Sequence, residues 1–399
     1  MNPRALFVLL LLGACVAPGD ELGSVEQANT AQWGGTGMTG EVVGFLDYAD
    51  HTSAMKDWIF HRALDGHVHA FTRGAVDTWG PWSWMNVTAG TAYRAPYRAR
   101  FTANISAIDA SPMLFFRTTT NHIVRMKRSG KVWAELDLAS DAAGDPILAG
   151  AIVGQSIFYR TTSNHIKQMS WNAFGQLSSM DLTAIAGAPV AQSDPTMVHR
   201  VDGYDSVVYQ SASGVTEMYS FNGTSWGYGF PGLLAGQPLH INPPPRPFGY
   251  IREDDTYAIV YRDPGAISEL RLTATGWVWS NLTAGLVTGS LFPAGEPTAI
   301  HNGADGDDHI YYRAWNNRIV QLTSHLGAPW QLWNLTDPYG AAPALGDPSV
   351  YNSIASDHEA VLFPIADNHA GDLAHHYEST QIPAGWTAHD LTAMSGEVP

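Results

Sequence analysis

The sequence FFRTTTNHI at residues 115–123 recurs as FYRTTSNHI at residues 158–166. In both copies two aromatic residues and an Arg precede a polar turn, and an Ile follows the turn. More divergent copies occur along the chain, and the residues at the Arg position are 62, 117, 160, 210, 262, 313 and 364. Recurrence with a period of about 50 residues indicates a repeat protein in which each unit is one supersecondary element.

Each unit contains four short apolar stretches separated by turn residues. In the sixth unit the first stretch follows Glu296-Pro297, and the second covers 310–313. The sequence AWNN at 314–317 separates it from the third stretch at 319–322, and the fourth covers 330–335. An Asn in such a turn tolerates the positive φ that a tight hairpin requires. Four strands in each unit of about 50 residues predict propeller blades.

The second strand of the unit is apolar on both faces, because apolar residues occupy the consecutive positions 310–312. Blades that pack face to face cover both sides of a strand. An antiparallel sheet with one solvent-exposed face instead shows alternating apolar and polar residues along each strand. We therefore predict an all-β protein, a seven-bladed β-propeller of four-stranded antiparallel blades over residues 39–395. The ring either closes between a first strand near Glu41 and a last strand at 386–392, or borrows a strand around residues 32–33.

Composition agrees with short strands and narrows the possible partners. Aromatic residues make up 11% of the 399 residues, and the chain has 39 Gly and 24 Pro. These values favour strands and turns over long helices. The formal net charge is −16, whereas proteins bind nucleic-acid phosphates through Lys and Arg. We therefore expect no nucleic-acid partner.

The N-terminus indicates export. Arg4 precedes an apolar run at 5–12, which is shorter than the roughly 20 residues of a membrane-spanning helix and fits the apolar region of a signal peptide. The run ends in the sequence LGAC at 12–15, which resembles the lipobox of bacterial lipoproteins. Cys15 is the only Cys of the chain.

The lipobox resemblance implies a lipoprotein signal peptide at 1–14 and lipidation of Cys15, and the polar, Gly-rich residues 15–38 are predicted to form a flexible tether. The alternative is an ordinary signal peptide with an incidental Cys. We therefore expect the repeat protein to be exported as a bacterial lipoprotein and to reside at the outer membrane or cell surface. Its only membrane contact would be the N-terminal lipid anchor.

Residues 40–395 resemble the repeats of bacterial seven-bladed propeller lectins that bind fucose and methylated sugars, and more distantly those of the six-bladed fungal fucose lectin. In the fungal family an Arg at the start of the second strand and a Glu near the end of the third hold the sugar, and a Trp or Tyr stacks on it. The Arg is missing here, since its positions hold Met113, Ser156, Ser206, Ala258 and His309. The Glu position holds the candidate ligand-binding residues Glu217, Glu269, Gln168 and Gln321. The resemblance implies glycan partners, with fucosylated or methylated sugars among them.

The arginines of this chain repeat at the far end of the second strand, and the ligand-binding candidates among them are Arg117, Arg160, Arg262 and Arg313. A guanidinium beside an aromatic ring suits sugar hydroxyls and ring faces. Alternatively, a repeated Arg joins neighbouring blades by bonding backbone carbonyls or the Asp of the Asp-Pro segments that open several units. Tryptophans also repeat in the second half of the units, either as stacking platforms or as packing between blades. Those outside that register, Trp82, Trp277, Trp315 and Trp330, are better binding candidates, and the ones selected are Trp277, Trp315 and Trp330.

The chain contains none of the sequence motifs for a nucleophilic Ser, a zinc protease or a phosphate-binding loop. The acidic sequence DGDD at 305–308 lacks the rest of a calcium-binding loop and is interpreted as a hairpin loop. We therefore expect no metal, no cofactor and no catalysis. The favoured function is carbohydrate binding by a lectin-like propeller. The alternatives are a protein-binding surface scaffold and a glycan-cleaving enzyme whose carboxylates converge in the central funnel.

Overall fold

The computed structural model describes residues 38–40, 42–47, 56–74, 82–106, 111–149, 156–172, 174–236, 246–302, 305–325, 327–353, 358–366, 369–376 and 385–396. Within these ranges the strands form seven antiparallel sheets, which follow one another along the chain as the predicted units do. The sheets are named blades 1 to 7 in that order. The predicted seven-bladed β-propeller is confirmed.

The strands of each blade run in chain order from the channel outward, and only blade 2 carries a fifth strand among the residues described. Blade 1 contains β2 (Val42–Asp47), β3 (Lys56–Arg62), β4 (Val68–Gly74) and β5 (Ser83–Asn86). Blade 2 contains β1 (Met38–Gly40), β6 (Phe101–Ile105), β7 (Pro112–Arg117), β8 (Ile123–Ser129) and β9 (Val132–Ala139). Blade 3 contains β10 (Ile147–Ala149), β11 (Ser156–Arg160), β12 (Ile166–Trp171) and β13 (Leu177–Asp181).

The remaining blades repeat the same arrangement. Blade 4 contains β14 (Thr196–His199), β15 (Asp205–Ser211), β16 (Gly214–Ser220) and β17 (Gly227–Gly229). Blade 5 contains β18 (Phe248–Ile251), β19 (Tyr257–Asp263), β20 (Ala266–Thr273) and β21 (Gly276–Asn281). Blade 6 contains β22 (Thr298–Asn302), β23 (Asp307–Arg313), β24 (Ile319–His325) and β25 (Gln331–Asn334). Blade 7 contains β26 (Ser349–Ser353), β27 (His358–Pro364), β28 (Ala370–His376) and β29 (Gly385–Asp390).

The first strand of each blade contacts the first strand of the next blade, and β26 contacts β2 to close the ring. Blades 1 and 7 each draw all four strands from their own stretch of chain, so among the described residues no borrowed strand joins them. Closure depends on side-chain packing that includes Val42 and Tyr351 and on a hydrogen bond that the Ser349 hydroxyl donates to the Val42 carbonyl. The described residues thus show closure without an exchanged strand, and residues 32–33, around which the alternative strand is predicted, lie outside them.

Strand β1 lies on the channel side of the ring. It pairs antiparallel with β6, with Met38 opposite Ala103, and it also contacts β2, β10 and β26. Met38, which the sequence places at the end of the tether, therefore belongs to a strand. The predicted signal peptide, Cys15 and the rest of the tether lie outside the described residues.

The core is divided among the junctions between blades. Seven buried hydrophobic clusters lie within the described residues, one at each junction. In blade 6, Ile310 and Tyr312 belong to the cluster shared with blade 5, and Tyr311 belongs to the cluster shared with blade 7. The predicted apolar character of both strand faces thus follows from packing on two neighbours.

Local chemistry fixes the hairpins and the blade ends. The hairpin residues Asn121, Asn164 and Asn317 have φ values of 66°, 63° and 62°, which confirms Asn as the residue that tolerates a positive φ. A recurring Thr after the last strand accepts a hydrogen bond from a backbone N–H in the first two residues of the third strand. The pairs are Thr88 with Val68, Thr183 with Ile166, Thr283 with Ile267, Thr336 with Ile319 and Thr392 with Ala370.

Short helical segments follow some of the last strands. Those within the described residues are Leu182–Ala186, Pro231–Leu234, Leu391–Ser395 and the 3-10 segment Gly289–Leu291. The predicted last strand at 386–392 is therefore wrong at its C-terminal end. The strand ends at Asp390, whose side chain accepts a hydrogen bond from the Ala393 N–H and caps the helix, a favoured role for Asp. No described helix is long and apolar enough to cross a membrane.

Candidate functional site

The repeated arginines at the ends of the second strands contact the next blade. Three of these arginines pair with the Asp of an Asp-Pro segment. This segment leads into the first strand of the next blade, and we call it the entrance of that blade. The pairs are Arg117 with Asp145 at 3.2 Å, Arg160 with Asp194 at 3.1 Å and Arg313 with Asp347 at 3.5 Å. These contacts match the interpretation of the arginines as links between blades. The structure does not bring them to the cleft described below.

Arg262 occupies the same position in blade 5 but has a different environment. The acid at the entrance of blade 6 is Glu296, and its carboxylate lies 2.6 Å from the guanidinium of Arg100. Arg100 also reaches Asp347 of blade 7 at 2.9 Å. Arg100 therefore connects the entrances of blades 2, 6 and 7. Its partner Glu296 occupies the position of the acids that pair with Arg117, Arg160 and Arg313 in the other blades, and Arg262 has no such pair among the described residues.

The third strands place the candidate Glu and Gln residues at equivalent positions facing the next blade. In blade 5, Glu269 is 2% exposed and accepts hydrogen bonds from Arg252 Nη1 at 2.9 and 3.1 Å. The Tyr250 hydroxyl donates to the same carboxylate at 2.8 Å. Arg252 Nε donates to Asp308 of blade 6 at 2.9 Å, so one guanidinium links both sides of the junction.

A cavity of about 490 Å³ opens at this junction between blades 5 and 6. Its lining includes Arg252, Glu269, Val278, Leu286 and Trp330. The Arg252 guanidinium lies 5.3 Å from the centroid of the Trp330 ring, within the range of a cation–π contact. We call this cavity the 5–6 cleft. It combines an aromatic ring, a forked cationic donor and a carboxylate acceptor.

Electrostatics hold the polar wall of the cleft in place. Burial raises the pKa of the Glu269 carboxyl, and Arg252 and the Tyr250 hydroxyl oppose that rise. Burial lowers the pKa of Arg252, but the surrounding Tyr250, Glu269 and Asp308 outweigh it and raise that pKa. Charge-assisted hydrogen bonds from Nη1 to Glu269 and from Nε to Asp308 hold the guanidinium on two sides. The pair therefore presents preoriented polar atoms to a ligand in the cleft.

Arg252 is the site residue that the sequence interpretation missed. It follows the first strand of blade 5, whereas the fungal pattern places its Arg at the start of the second strand, where this blade has Ala258. Arg200 holds the corresponding place in blade 4. The available signal was an Arg directly after the first strand of two consecutive blades. The sequence alone does not show that this Arg contacts Glu269, because the contact requires the fold to place the first hairpin beside the third strand.

The junction of blades 4 and 5 repeats part of this arrangement. Glu217 is buried, 3.3 Å from Arg200, and it accepts a hydrogen bond from Ser206 at 2.7 Å. The Arg200 guanidinium lies 5.2 Å from the Tyr257 ring centroid. The candidate Trp277 packs edge-on against Tyr257 at 5.5 Å. The aromatic ring of Trp277 therefore contributes to packing at this junction.

The two Gln positions have no equivalent Arg contact within the described part of the chain. Gln168 donates to Ser156 Oγ at 3.1 Å, and Gln321 donates to the Tyr311 hydroxyl at 3.1 Å. Trp315 is 67% exposed and packs only loosely on Phe292, with 6.1 Å between centroids. Of the sequence-predicted residues, the structure brings only Glu269 and Trp330 together in the 5–6 cleft.

The seven four-stranded blades define this protein as a β-propeller, and the solved structures similar to it include lectins. The structure matches the BP39L lectin from Burkholderia pseudomallei with a TM-score of 0.62 and 12% identity, over 87% of this chain and 97% of that one. It matches AofleA from Arthrobotrys oligospora with a TM-score of 0.50 and 16% identity, over 72% and 85%. The match to the six-bladed Aleuria aurantia lectin has a TM-score of 0.44 and 12% identity, over 75% and 96%.

At such identities the similarity shows the fold, and at that level the resemblance to propeller lectins is confirmed. No protein-family model matches the sequence. No curated protein matches it either.

Proposed function

We propose that this protein is a non-catalytic, carbohydrate-binding propeller and that the 5–6 cleft binds a sugar. The observation that carries the proposal is the convergence of Trp330, Arg252 and Glu269 on one open cavity. The fold shared with the Burkholderia pseudomallei lectin supports the same class of function. A cavity of this volume is within the range of small-ligand sites.

The chemistry of the cleft fits a monosaccharide with one apolar face. The Trp330 ring offers a surface for the C–H groups of a pyranose, as aromatic rings combine apolar area with a defined geometry. Arg252 donates to sugar hydroxyls, and Glu269 accepts from them, in charge-assisted hydrogen bonds of about 1.5–3 kcal/mol each. Because Asp308 and Tyr250 fix this pair, little side-chain freedom is lost on binding.

A glycan array followed by calorimetry with the best glycan tests the proposal. The W330A and E269Q variants are expected to lose at least about tenfold in affinity, since each removes about one stacking or charge-assisted contact. The matched control is W315A, which removes an exposed Trp outside the cleft and is expected to bind as the native protein does. Circular dichroism checks that each variant is folded.

Two results would contradict the proposal. The first is silence of the native protein on every glycan of the array. The second is equal binding by the native protein, W330A and E269Q. Saturable binding to a glycan-free protein would favour the scaffold alternative.

The identity of the sugar forms a finer part of the proposal. Fucosylated and methylated glycans are the first candidates, because the C–H and methyl groups of such sugars add apolar surface that Trp330, Leu286 and Val278 can cover. Paired arrays of each glycan with and without its fucose or methyl group compare the two. A preference for the unsubstituted member of each pair would contradict this assignment.

We also propose that the protein is exported and anchored to the membrane by a lipid at Cys15. The support is the sequence LGAC at 12–15 after a basic start and an apolar run. Metabolic labelling with an alkyne fatty acid is expected to label the native protein and to leave C15S unlabelled. Labelling of C15S, or an unlabelled native protein in the soluble fraction, would contradict the anchor.

A further inference from the structure

A second group of polar side chains lies in blade 6, outside the 5–6 cleft. Asp305 in the first hairpin and Asp307 and His309 on β23 each offer one ligand atom, and these atoms all lie within 4.8 Å of one another. Alternate residues of a strand project to the same face, so Asp307 and His309 point together. His309 Nε2 is 3.6 Å from Asp305 Oδ2 and 4.0 Å from Asp307 Oδ2.

His309 distinguishes this group from an ordinary acidic hairpin. The residue is 3% exposed, and its Nδ1 lies 2.8 Å from Oε2 of the buried Glu359 in blade 7. Its other ring nitrogen, Nε2, makes no hydrogen bond to any residue that the structure describes, since both aspartates are beyond hydrogen-bonding distance. A His that holds one nitrogen on a carboxylate and aims the other at acidic side chains has the arrangement of a metal ligand.

We propose that Asp305, Asp307 and His309 bind a divalent transition-metal ion, with Zn²⁺ as the best match. An imidazole nitrogen beside two carboxylates suits Zn²⁺, whereas Ca²⁺ and Mg²⁺ prefer all-oxygen sites. Ligand bonds of about 2.0–2.2 Å in a tetrahedron place ligand atoms roughly 3.3–3.6 Å apart. The separations of His309 Nε2 from Asp305 Oδ2 and Asp307 Oδ2, 3.6 and 4.0 Å, therefore need to close by at most about 0.7 Å.

The surroundings support a bound cation. Oδ1 of Asp307 lies 2.5 Å from His325 Nδ1, which leaves Oδ2 directed at the group. A divalent ion between Asp305 and Asp307 would offset the repulsion of two carboxylates held this close together. Three protein ligands also leave one position of a tetrahedral ion open to water or a ligand.

The proposed site adjoins the 5–6 cleft along the chain. Asp308, which lies between Asp307 and His309, accepts hydrogen bonds from Arg252 Nε and from the Glu253 N–H, both at 2.9 Å. A bound ion would therefore immobilise the strand end that anchors Arg252. The metal site does not depend on the carbohydrate proposal, because Zn²⁺ binding is measured without any glycan.

Isothermal titration of ZnCl₂ into the tag-free, purified chain tests the site. The native protein is expected to bind one tight Zn²⁺ with a Kd of about 10 μM or below. The double variant D305N/D307N removes both carboxylates from an accessible hairpin end and is expected to weaken this event at least about a hundredfold. E359Q keeps all three ligands but weakens the second contact of His309, so a loss of about 10- to 100-fold is expected.

The matched control is H199Q, because His199 also pairs with an Asp, 2.8 Å away, at a first hairpin, and it is expected to bind Zn²⁺ as the native protein does. Circular dichroism separates loss of the site from loss of the fold. The proposal is overturned if the native chain binds no Zn²⁺ below about 1 mM. It is also overturned if D305N/D307N binds Zn²⁺ as tightly as the native chain, or if Ca²⁺ binds and Zn²⁺ does not.

Discussion

At the scale of single residues, a buried Thr ends several blades. The Thr336 side chain is nearly inaccessible, and its hydroxyl accepts from the Ile319 N–H at 2.7 Å. Without that hydroxyl, a buried N–H at the start of the third strand would have no acceptor, and such a loss costs about 1–3 kcal/mol. The Thr that recurs after the last strand of several blades therefore has a physical role that sequence inspection alone did not assign.

The substitution T336V tests this role. Val keeps the shape of Thr and removes only the acceptor, so the free energy of unfolding is expected to fall by about 1–3 kcal/mol. Urea denaturation measures the change. T224V serves as control because Thr224 is exposed, and its effect is expected to stay within about 0.5 kcal/mol. Equal stability of T336V and the native protein would contradict the role.

Residue chemistry also marks how far the sequence could predict the site. Asn317 in its turn was predictable, because positive φ is a property of the residue and its neighbours. Glu269 and Trp330 were predictable as candidates from the repeat and from the register of the tryptophans. Arg252 was not, because its contact with Glu269 joins different strands across the sheet, and the family pattern directed attention to Ala258.

At the scale of the blade, an Arg at the end of one second strand holds the entrance of the next blade. In blade 3, Arg160 Nε bonds Asp194 Oδ1 at 3.1 Å, and its Nη1 bonds Asn164 Oδ1 at 2.9 Å. The same guanidinium thus fixes its own hairpin and its neighbour. Repetition of this contact in three blades explains why Arg recurs in the sequence more faithfully than any cleft residue does.

The substitution R160M tests the contact between blades. Met keeps much of the apolar stem and removes the forked donor, so the free energy of unfolding is expected to fall by about 1–2 kcal/mol. The control is R318M, whose partner Asp337 is 49% exposed, and an exposed pair contributes less than about 1 kcal/mol. If R318M lowers the free energy of unfolding as much as R160M does, the proposed contribution of the contact between blades is contradicted.

The entrance acid Asp145 gives the stability of the ring a pH dependence. Burial, helped by the neighbouring Asp194, raises the pKa of Asp145 to about 6. A raised pKa in the fold means that the stability contributed by the protonated form is present below the ordinary value of 3.8 and is lost as the pH rises through about 6.

The variant D145N stays neutral throughout this range. Its stability relative to the native protein is expected to rise between about pH 4 and pH 7, by up to about 3 kcal/mol. Loss of the Arg117 contact adds an offset that does not produce this rise. Guanidinium denaturation at both pH values measures the difference between the two proteins. A difference that stays constant, or that falls with pH, would contradict the raised pKa.

At the scale of the whole molecule, the sequence predicted the number and order of blades because each unit carries the same local pattern. It left the closure undecided, since both modes of closure are compatible with that pattern. The structure shows β2 and β26 side by side, held by packing and one side-chain hydrogen bond. Every other pair of neighbouring blades is consecutive in the sequence, whereas blades 7 and 1 lie at opposite ends of the propeller segment.

Hydrogen exchange tests whether the ring opens at this junction. The amides of β2 and β26 are expected to exchange faster than those of β14 and β18, because only at closure does the chain not connect neighbouring blades. Mass spectrometry of the peptides that contain these strands measures the rates. Slower exchange at β2 and β26 than at β14 and β18 would show that closure is not the weak junction.

The confinement of each hydrophobic cluster to one pair of blades has an evolutionary consequence. A mutation that reshapes the cluster around Ile310 and Tyr312 leaves the side chains of the other clusters untouched. Selection can therefore act on one cleft while the rest of the ring preserves the architecture. Units that began as identical duplicates can therefore diverge one at a time. In this chain one junction has Arg252 and Glu269, whereas two other junctions have Gln168 and Gln321 at the position of Glu269. The molecule is built to tolerate specialisation of its parts without loss of the whole.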